Sequence, residues 1–356
     1  MGRLTALAEA LLTPHGVDRY LELLDPMLVR REIRGVVTGV RHQTPRSVTL
    51  TVRPSKAWPG FTCGQYTRVT VDIDAVRHSR CYSLSGSQHR AGELELHIST
   101  VPDGLVSRYL REHARPGMVL GLSRPQGEFT LPPQRPERIL LIAGGSGITP
   151  VLSMLRTLAD ERYGGEVTLL YYTARPADQP YRDELAELAG RPGVRVVVVH
   201  TRDHSGSGPR GHFRAAHLSE VAPWYREAPA YVCGPVPLLE AVRKLYDRHG
   251  LGEQLHTEQF TPAAGFAAGS GDTTGRVRFT RSGREAGNTG SSLLEQAEAA
   301  GLTPEYGCRM GICFSCTARK STGRVRDLRS GAESAQDDEE IQLCVSAPVG
   351  DVAIEV

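Results

Sequence analysis

The sequence predicts a multidomain chain in three parts: an antiparallel β-barrel, an α/β domain built on a parallel sheet, and a smaller α+β domain. Three observations carry this. Between Gly35 and Ile73 the segments VVTGV, SVTLTV and YTRVTVDI have strand composition and are separated by stretches rich in Pro, Ser and Gly. From Arg138 the pattern changes to buried strands, ILLI, VTLLYYTA, VRVVVVH and AYVC, with helical periodicity between them, which is the signature of a parallel sheet covered on both faces. After Pro262 the segment AAGFAAGSGDTTG has linker composition, and beyond it RVRFTRSG and SSLLEQAEAAG predict one strand and one helix of a further domain.

The predicted boundaries are 1–33 for a helical N-terminal extension, 34–133 for the barrel, 134–262 for the α/β domain, 263–275 for the linker and 276–356 for the last domain. The extension is assigned from Leu4, Leu7, Leu11, Leu12, Tyr20, Leu21, Leu23 and Leu24, with Pro14 dividing two helical halves. A chain of 356 residues exceeds what one ordinary core serves. A net charge of +2 gives no reason to expect nucleic acid or an anionic membrane surface as partner. No apolar run reaches the length of a membrane span, and Met1 to Leu12 lack a continuous signal-peptide core. A soluble, cytoplasmic protein is expected.

Four of the seven cysteines decide the chemistry. Cys308, Cys313 and Cys316 stand in CxxxxCxxC spacing and Cys344 follows, the plant-type pattern for a [2Fe-2S] cluster held by four thiolates. A structural zinc site is the alternative, but zinc favours paired CxxC motifs. An odd cysteine total with one tight cluster argues for metal ligation in a reducing compartment over a disulfide framework. Plant-type clusters have potentials near about −400 mV, which suits an electron donor.

RCYSL (Arg80 to Leu84), GQYT (Gly64 to Thr67) and VPDGLVSRYL (Val101 to Leu110) together resemble the flavin domain of the ferredoxin reductase superfamily. The resemblance covers residues 35–356, and its order matches the three-domain oxygenase and desaturase reductases, so the last domain is expected to be a β-grasp ferredoxin. It implies that Arg80 binds a flavin phosphate, that Tyr82 packs on the flavin, and that Ser83 hydrogen-bonds near N5, with Cys81 between them. The residue types suit these roles: an Arg fork matches a pyrophosphate, and a hydroxyl can donate to a reduced flavin. Gly104, Leu105, Val106 and Ser107 open a helix whose amides would face a diphosphate, which favours FAD over the FMN used by one branch of the family.

AGGSGITP (Ala143 to Pro150) lies between a strand and a helix, where Gly144, Gly145 and Gly147 let backbone amides approach a pyrophosphate. By the same resemblance the CGP turn, Cys233, Gly234 and Pro235, sits beside the nicotinamide. EQF (Glu258 to Phe260) resembles the family's segment that shields the flavin face, which implies that role for Phe260. Thr149 and Cys233 would then border the hydride-transfer locus, although Cys233 is equally well explained as a buried core cysteine. After VTLLYYTA, Arg175 and Arg182 could pair with a 2′-phosphate, which favours NADPH over NADH; both could equally be solvated surface charges.

A hydride carries two electrons and the cluster accepts one at a time, so the flavin stands between them as transformer. Electrons are expected to leave through the cluster to an oxygenase, a hydroxylase or a membrane-bound acyl desaturase. The N-terminal TPHGVDRYLELLDPM resembles the start of actinobacterial reductases that serve the last group. The acidic run Asp337 to Glu340 could steer a basic partner. A redox-sensing relay subunit that does not oxidise free nicotinamide is the competing reading.

Overall fold

Alternating apolar residues at 48, 50 and 52, and again at 69, 71 and 73, bury one face of each strand, so the first half of the chain curls around an apolar interior. The computed structural model describes residues 25–29, 32–101, 104–203, 209–260, 273–306, 311, 314, 316–328 and 331–356. Most of the predicted N-terminal extension and of the linker therefore falls outside the described residues. The part of the extension that is described contains a single 3-10 turn, Pro26–Leu28, whose start is capped by Asp25.

The first sheet contains β1 (Ile33–Thr44), β2 (Ser47–Pro54), β3 (Tyr66–Ile73), β4 (Val76–Ser83), β5 (Leu94–Ser99) and β6 (Val119–Leu122). Its spatial order is β4-β3-β6-β1-β2-β5, antiparallel throughout. The two edges meet at the single bridge between Leu84 and Leu96, which curls the sheet into a partly closed barrel. Helix α1 (Leu105–His113) turns Val106 and Leu110 into the same core as Leu50, Leu96, Ile98 and Leu120.

The second sheet contains β7 (Arg138–Gly144), β8 (Glu166–Thr173), β9 (Val194–His200), β10 (Ala230–Cys233) and β11 (Leu255–Glu258), all parallel, in the order β11-β10-β7-β8-β9. Every residue of β7 after Arg138 is buried, as a strand covered on both faces requires. The chain runs outward from β7 through β8 and β9, then returns to place β10 on the other side of β7. This reversal opens a crevice beyond the carboxyl ends of β7 and β10, where open α/β sheets bind their ligands. Helices α2 (Ile148–Asp160), α3 (Arg182–Ala189), α4 (Ala215–Val221) and α5 (Val236–Arg248) complete this part.

The two sheets are tied together by a buried polar network. Arg156 on α2 forks onto both carboxylate oxygens of Glu184 at 2.6 and 2.7 Å and reaches Glu95 on β5 at 2.6 Å. Tyr181, in left-handed backbone at φ 58°, bonds the Thr49 hydroxyl at 3.1 Å, and Thr49 in turn meets His97 Nδ1 at 3.2 Å.

The third sheet contains β12 (Arg276–Phe279), β13 (Arg284–Gly287), β14 (Thr317–Asp327), β15 (Glu333–Ser334), β16 (Glu339–Gln342) and β17 (Ser346–Ile354). Its order is β13-β12-β17-β14-β15, with β16 also paired to β14. Only the β12–β17 pair is parallel, so the sheet is mixed. Helix α6 (Leu293–Ala299) begins with a capping box in which Ser292 and Glu295 satisfy each other's amides, and it buries Leu293, Leu294 and Ala297 against Phe279 and Ile354. Lys320 is fully buried; its Nζ donates to the Gly323 and Gln336 carbonyls at 2.7 and 2.6 Å. By packing, the chain divides into residues 1–234 with 238–258, and 235–237 with 259–356. No helix among the described residues is long and apolar enough to cross a membrane.

Burial, with the charges of Arg156 and Arg41, lowers the His97 pKa to about 4. Between pH 6.5 and about 4 the unfolded chain takes up a proton here that the folded chain does not, so stability contributed by neutral His97 is lost as pH falls through that window. Calorimetry of wild-type protein and His97→Gln across pH 4 to 7 should show a shallower decline in the variant, by roughly 3 kcal/mol over the window.

Candidate functional site

Strand β4 carries RCYS to its end, and pairing with β3 sets Arg80 opposite Val69 and Ser83 opposite Tyr66. Arg80 and Tyr82 share a face by strand alternation, and Arg80 donates to the Ser79 carbonyl at 2.7 Å. Cys81 and Tyr82 are half-buried, and burial pushes the Tyr82 phenol up. Ser83 is buried, and its hydroxyl has no hydrogen-bond partner within the protein. A buried hydroxyl without a partner is costly, and a flavin ring edge would satisfy it. Gly64 of GQYT has φ 92° and lies so close to the Phe129 carbonyl that a Cβ would stand 1.9 Å from its oxygen. Gly104 precedes α1; Leu105 is exposed, whereas Val106 and Ser107 are buried, and Ser107 donates to the Gly104 carbonyl at 3.2 Å.

At the crevice of the parallel sheet the two glycine turns meet backbone to backbone. Ala143 pairs with Cys233, and a Cβ on Gly147 would fall 2.1 Å from the Cys233 carbonyl oxygen. A Cβ on Gly234 would fall 3.0 Å from the Gly144 amide nitrogen. Gly145 has φ 55°, and its carbonyl accepts a 3.1 Å bond from the buried Tyr171 hydroxyl beneath the turn. Thr149, in the first turn of α2, donates to the Ser146 carbonyl at 3.0 Å. This strand, glycine turn and 13-residue helix leave amides and the positive end of a helix dipole facing the crevice, which suits a pyrophosphate.

The Cys233 side chain is fully buried, and burial first, then the neighbouring Glu258, pushes its thiol well up. Glu258 stands opposite Cys233 across the β10–β11 pair. Burial raises its carboxyl to about 8, and Oε2 has no protein partner. A half-buried carboxyl with a raised pKa and one oxygen sealed from water, at the carboxyl end of β11, is a functional candidate that the sequence motifs do not single out. The segment EQF pointed to Phe260, which follows β11 and is half-buried; the register that brings Glu258 to Cys233 is a long-range pairing. Pro235 opens the turn into α5.

Arg175 and Arg182 are both exposed and flank the 3-10 turn Pro176–Asp178 after β8; Arg182 donates to the Pro176 carbonyl. The neighbouring Thr173 hydroxyl bonds His200 Nδ1 at 2.8 Å. Of the four cluster cysteines, Cys316 and Cys344 are described and both are buried. The Cys344 amide points at Cys316 Sγ at 3.5 Å, an arrangement suited to a thiolate ligand that accepts from the backbone. Cys308 and Cys313 lie outside the described residues. These local features fit the groups the motifs imply.

Family models agree with the three sheets. An oxidoreductase FAD-binding domain matches residues 40–131, an oxidoreductase NAD-binding domain 141–244, and a 2Fe-2S iron-sulfur cluster binding domain 278–349. An NADPH oxidoreductase of Mycobacterium tuberculosis is 36% identical, over 99% of this chain and 92% of its own length. The chain belongs to the ferredoxin reductase family. This reductase is also 29% identical to the glycine betaine monooxygenase reductase subunit of Pseudomonas aeruginosa, over 83% of this chain and 87% of that one. Its fold matches phthalate dioxygenase reductase with a TM-score of 0.62 at 24% identity, covering 91% and 97% of the two chains. The reductase is therefore an NAD(P)H-dependent oxidoreductase whose electrons pass through FAD and a [2Fe-2S] cluster. The NAD-binding domain removes the ground for reading it as a relay that cannot use nicotinamide.

The approach of Gly147 to Cys233 has a direct test. Gly147→Ala must push the two turns apart, and flavin reduction by nicotinamide should fall at least tenfold while FAD content is retained, as measured by stopped-flow bleaching of the flavin.

Proposed function

We propose that the chain takes a hydride from NADPH at the crevice between β7 and β10, and passes the electrons one at a time through its cluster to a partner oxygenase. The observation that carries this reading is the meeting of the GGSG and CGP turns at the sheet's reversal, in the same packed unit as the unpartnered Ser83 hydroxyl. FAD supplies the exchange between a two-electron donor and a one-electron acceptor. The chain's own residues bind and orient. Arg80 holds a flavin phosphate, with help from the amides opening α1 at Gly104 to Ser107; Tyr82 packs on the ring and Ser83 donates near N5. Thr149 and Cys233 border the nicotinamide, with Gly144, Gly145, Gly147, Gly234 and Pro235 forming its cradle and Phe260 shielding the flavin. Cys308, Cys313, Cys316 and Cys344 hold the cluster.

Preference for NADPH is supported by the two exposed arginines beside the Pro176–Asp178 turn and by the M. tuberculosis relative described as an NADPH oxidoreductase. The acidic residue in that turn, Asp178, faces Arg46 at 3.4 Å. An oxygenase as electron acceptor is supported by the glycine betaine monooxygenase reductase subunit. Phe314, between two cluster ligands, is 65% exposed at φ 55° and offers that partner an apolar contact at the exit. The acidic run contributes less steering than its charge count, because Asp338 is paired with Arg319 and Glu339 with Lys320. A cytoplasmic setting agrees with thiolate ligation.

Steady-state reduction of ferricyanide and cytochrome c by NADPH and NADH tests the reading; lack of turnover with both, in protein holding flavin and iron, rejects it. Cys313→Ser should abolish cytochrome c reduction and leave flavin reduction rapid, and equal loss of both would reject the electron order. Arg175→Ala with Arg182→Ala should raise KM for NADPH about tenfold more than for NADH, the scale of a lost charge-assisted pair.

A further inference from the structure

Three bonds join helix α2 to the loop that follows Ser83. The Ser153 hydroxyl donates to the Gly86 carbonyl at 2.7 Å, Arg156 Nη1 donates to the Ser85 carbonyl at 2.8 Å, and the Gln88 amide donates to the Thr157 hydroxyl at 3.2 Å. Ser153, Arg156 and Thr157 are spaced i, i+3, i+4, so they form one face of the helix. The same helix starts at the nicotinamide turn and carries Thr149 in its first turn, about 10 Å along the axis from Arg156. The flavin-side attachments begin two residues after Ser83. One short rigid element thus spans the two halves of the hydride-transfer site.

Arg156 is the centre of this joint. Its side chain is only 10% exposed, and its guanidinium uses Nε and Nη2 for Glu184 and Nη1 for Glu95 and the Ser85 carbonyl. The Tyr181 ring lies 5.2 Å from its carbon. The four acceptors come from the flavin side, at Ser85 and Glu95, and from the nicotinamide side, at Glu184. A planar fork reaches them all at once, and a lysine ammonium does not. We propose that Arg156 is a positioning residue for hydride transfer: by fixing α2 against the loop after Ser83, it sets the distance between nicotinamide and flavin without touching either.

The proposal rests on the flavin and nicotinamide assignments above. The test uses full-length, FAD-loaded and iron-loaded protein mixed with NADPH in a stopped-flow spectrometer. It follows flavin bleaching and the long-wavelength absorbance of stacked nicotinamide and flavin rings. In Arg156→Met the limiting rate should fall at least tenfold and the stacking absorbance should be lost, with FAD content unchanged and the apparent Kd for NADPH within threefold. Arg156→Lys should recover part of both. A methionine variant that bleaches at the wild-type rate overturns the proposal, as does one whose slower rate comes only from lost FAD or weaker NADPH binding. Should Arg156→Met fail to fold, Ser153→Ala decides: it removes one bond of the joint, and an unchanged rate and absorbance overturn the proposal, while a threefold or greater slowing with altered absorbance supports it. Wild-type protein that cannot bleach with either nucleotide would overturn the nicotinamide assignment and the proposal with it, whereas a competent wild type matched by Arg156→Met overturns the proposal alone.

Discussion

The crevice of the parallel sheet is built on a contact between two backbones, Gly147 and the Cys233 carbonyl, at the carboxyl ends of adjacent parallel strands. No side chain fits between them. A Cβ on Gly147 would collide with the carbonyl, so this floor of the crevice is bare backbone. The parallel sheet provides the two strand ends, and the reversal of strand order provides the crevice between them. Tyr171 then holds the first turn from below through the Gly145 carbonyl, so the floor is fixed by a buried hydrogen bond as well as by packing.

Around this floor the protein uses charge where it needs geometry. The Arg156 fork, Glu95 and Glu184 form an ion triad that is largely removed from water. Desolvating such groups offsets much of their attraction, so the triad adds little net stability relative to an apolar substitute; removing one member alone costs about 3–5 kcal/mol. Its value lies in direction, since a fork with four acceptors permits one arrangement of the two sheets and a greasy contact permits several. His97 and Tyr181 continue the same logic, as buried polar groups each satisfied by the one hydroxyl of Thr49.

The parts of this architecture that are written locally were legible in the sequence. Glycine turns, the RCYSL strand, the cysteine spacing and the strand-to-helix alternation each depend on residues within about a dozen positions of one another, and periodicity and turn chemistry report that range. What escaped depends on long-range pairing. Glu258 gains its meaning from lying opposite Cys233, 25 residues earlier by number, and Arg156 from partners at 85, 95 and 184. Lys320 escaped for a different reason. Lysine is almost always solvated, and here two backbone carbonyls and the Glu339 carboxylate converge on its ammonium and make its burial tolerable. Most of the N-terminal extension and two of the cluster ligands lie outside the described residues, so those readings stand on the sequence.

The pair of buried thiols in the last domain has a consequence for how that domain is made. Cys344 enters its small turn 28 residues after Cys316, and the intervening chain contains all of β14, β15 and β16. Any metal centre held by both residues is therefore a crosslink that shuts a loop comprising half of the sheet. Closing a loop of that size removes conformational freedom from the unfolded chain, so a centre held by both thiols adds to the stability of this domain. Binding of the centre is thus coupled to the folding of the segment that carries β14, β15 and β16.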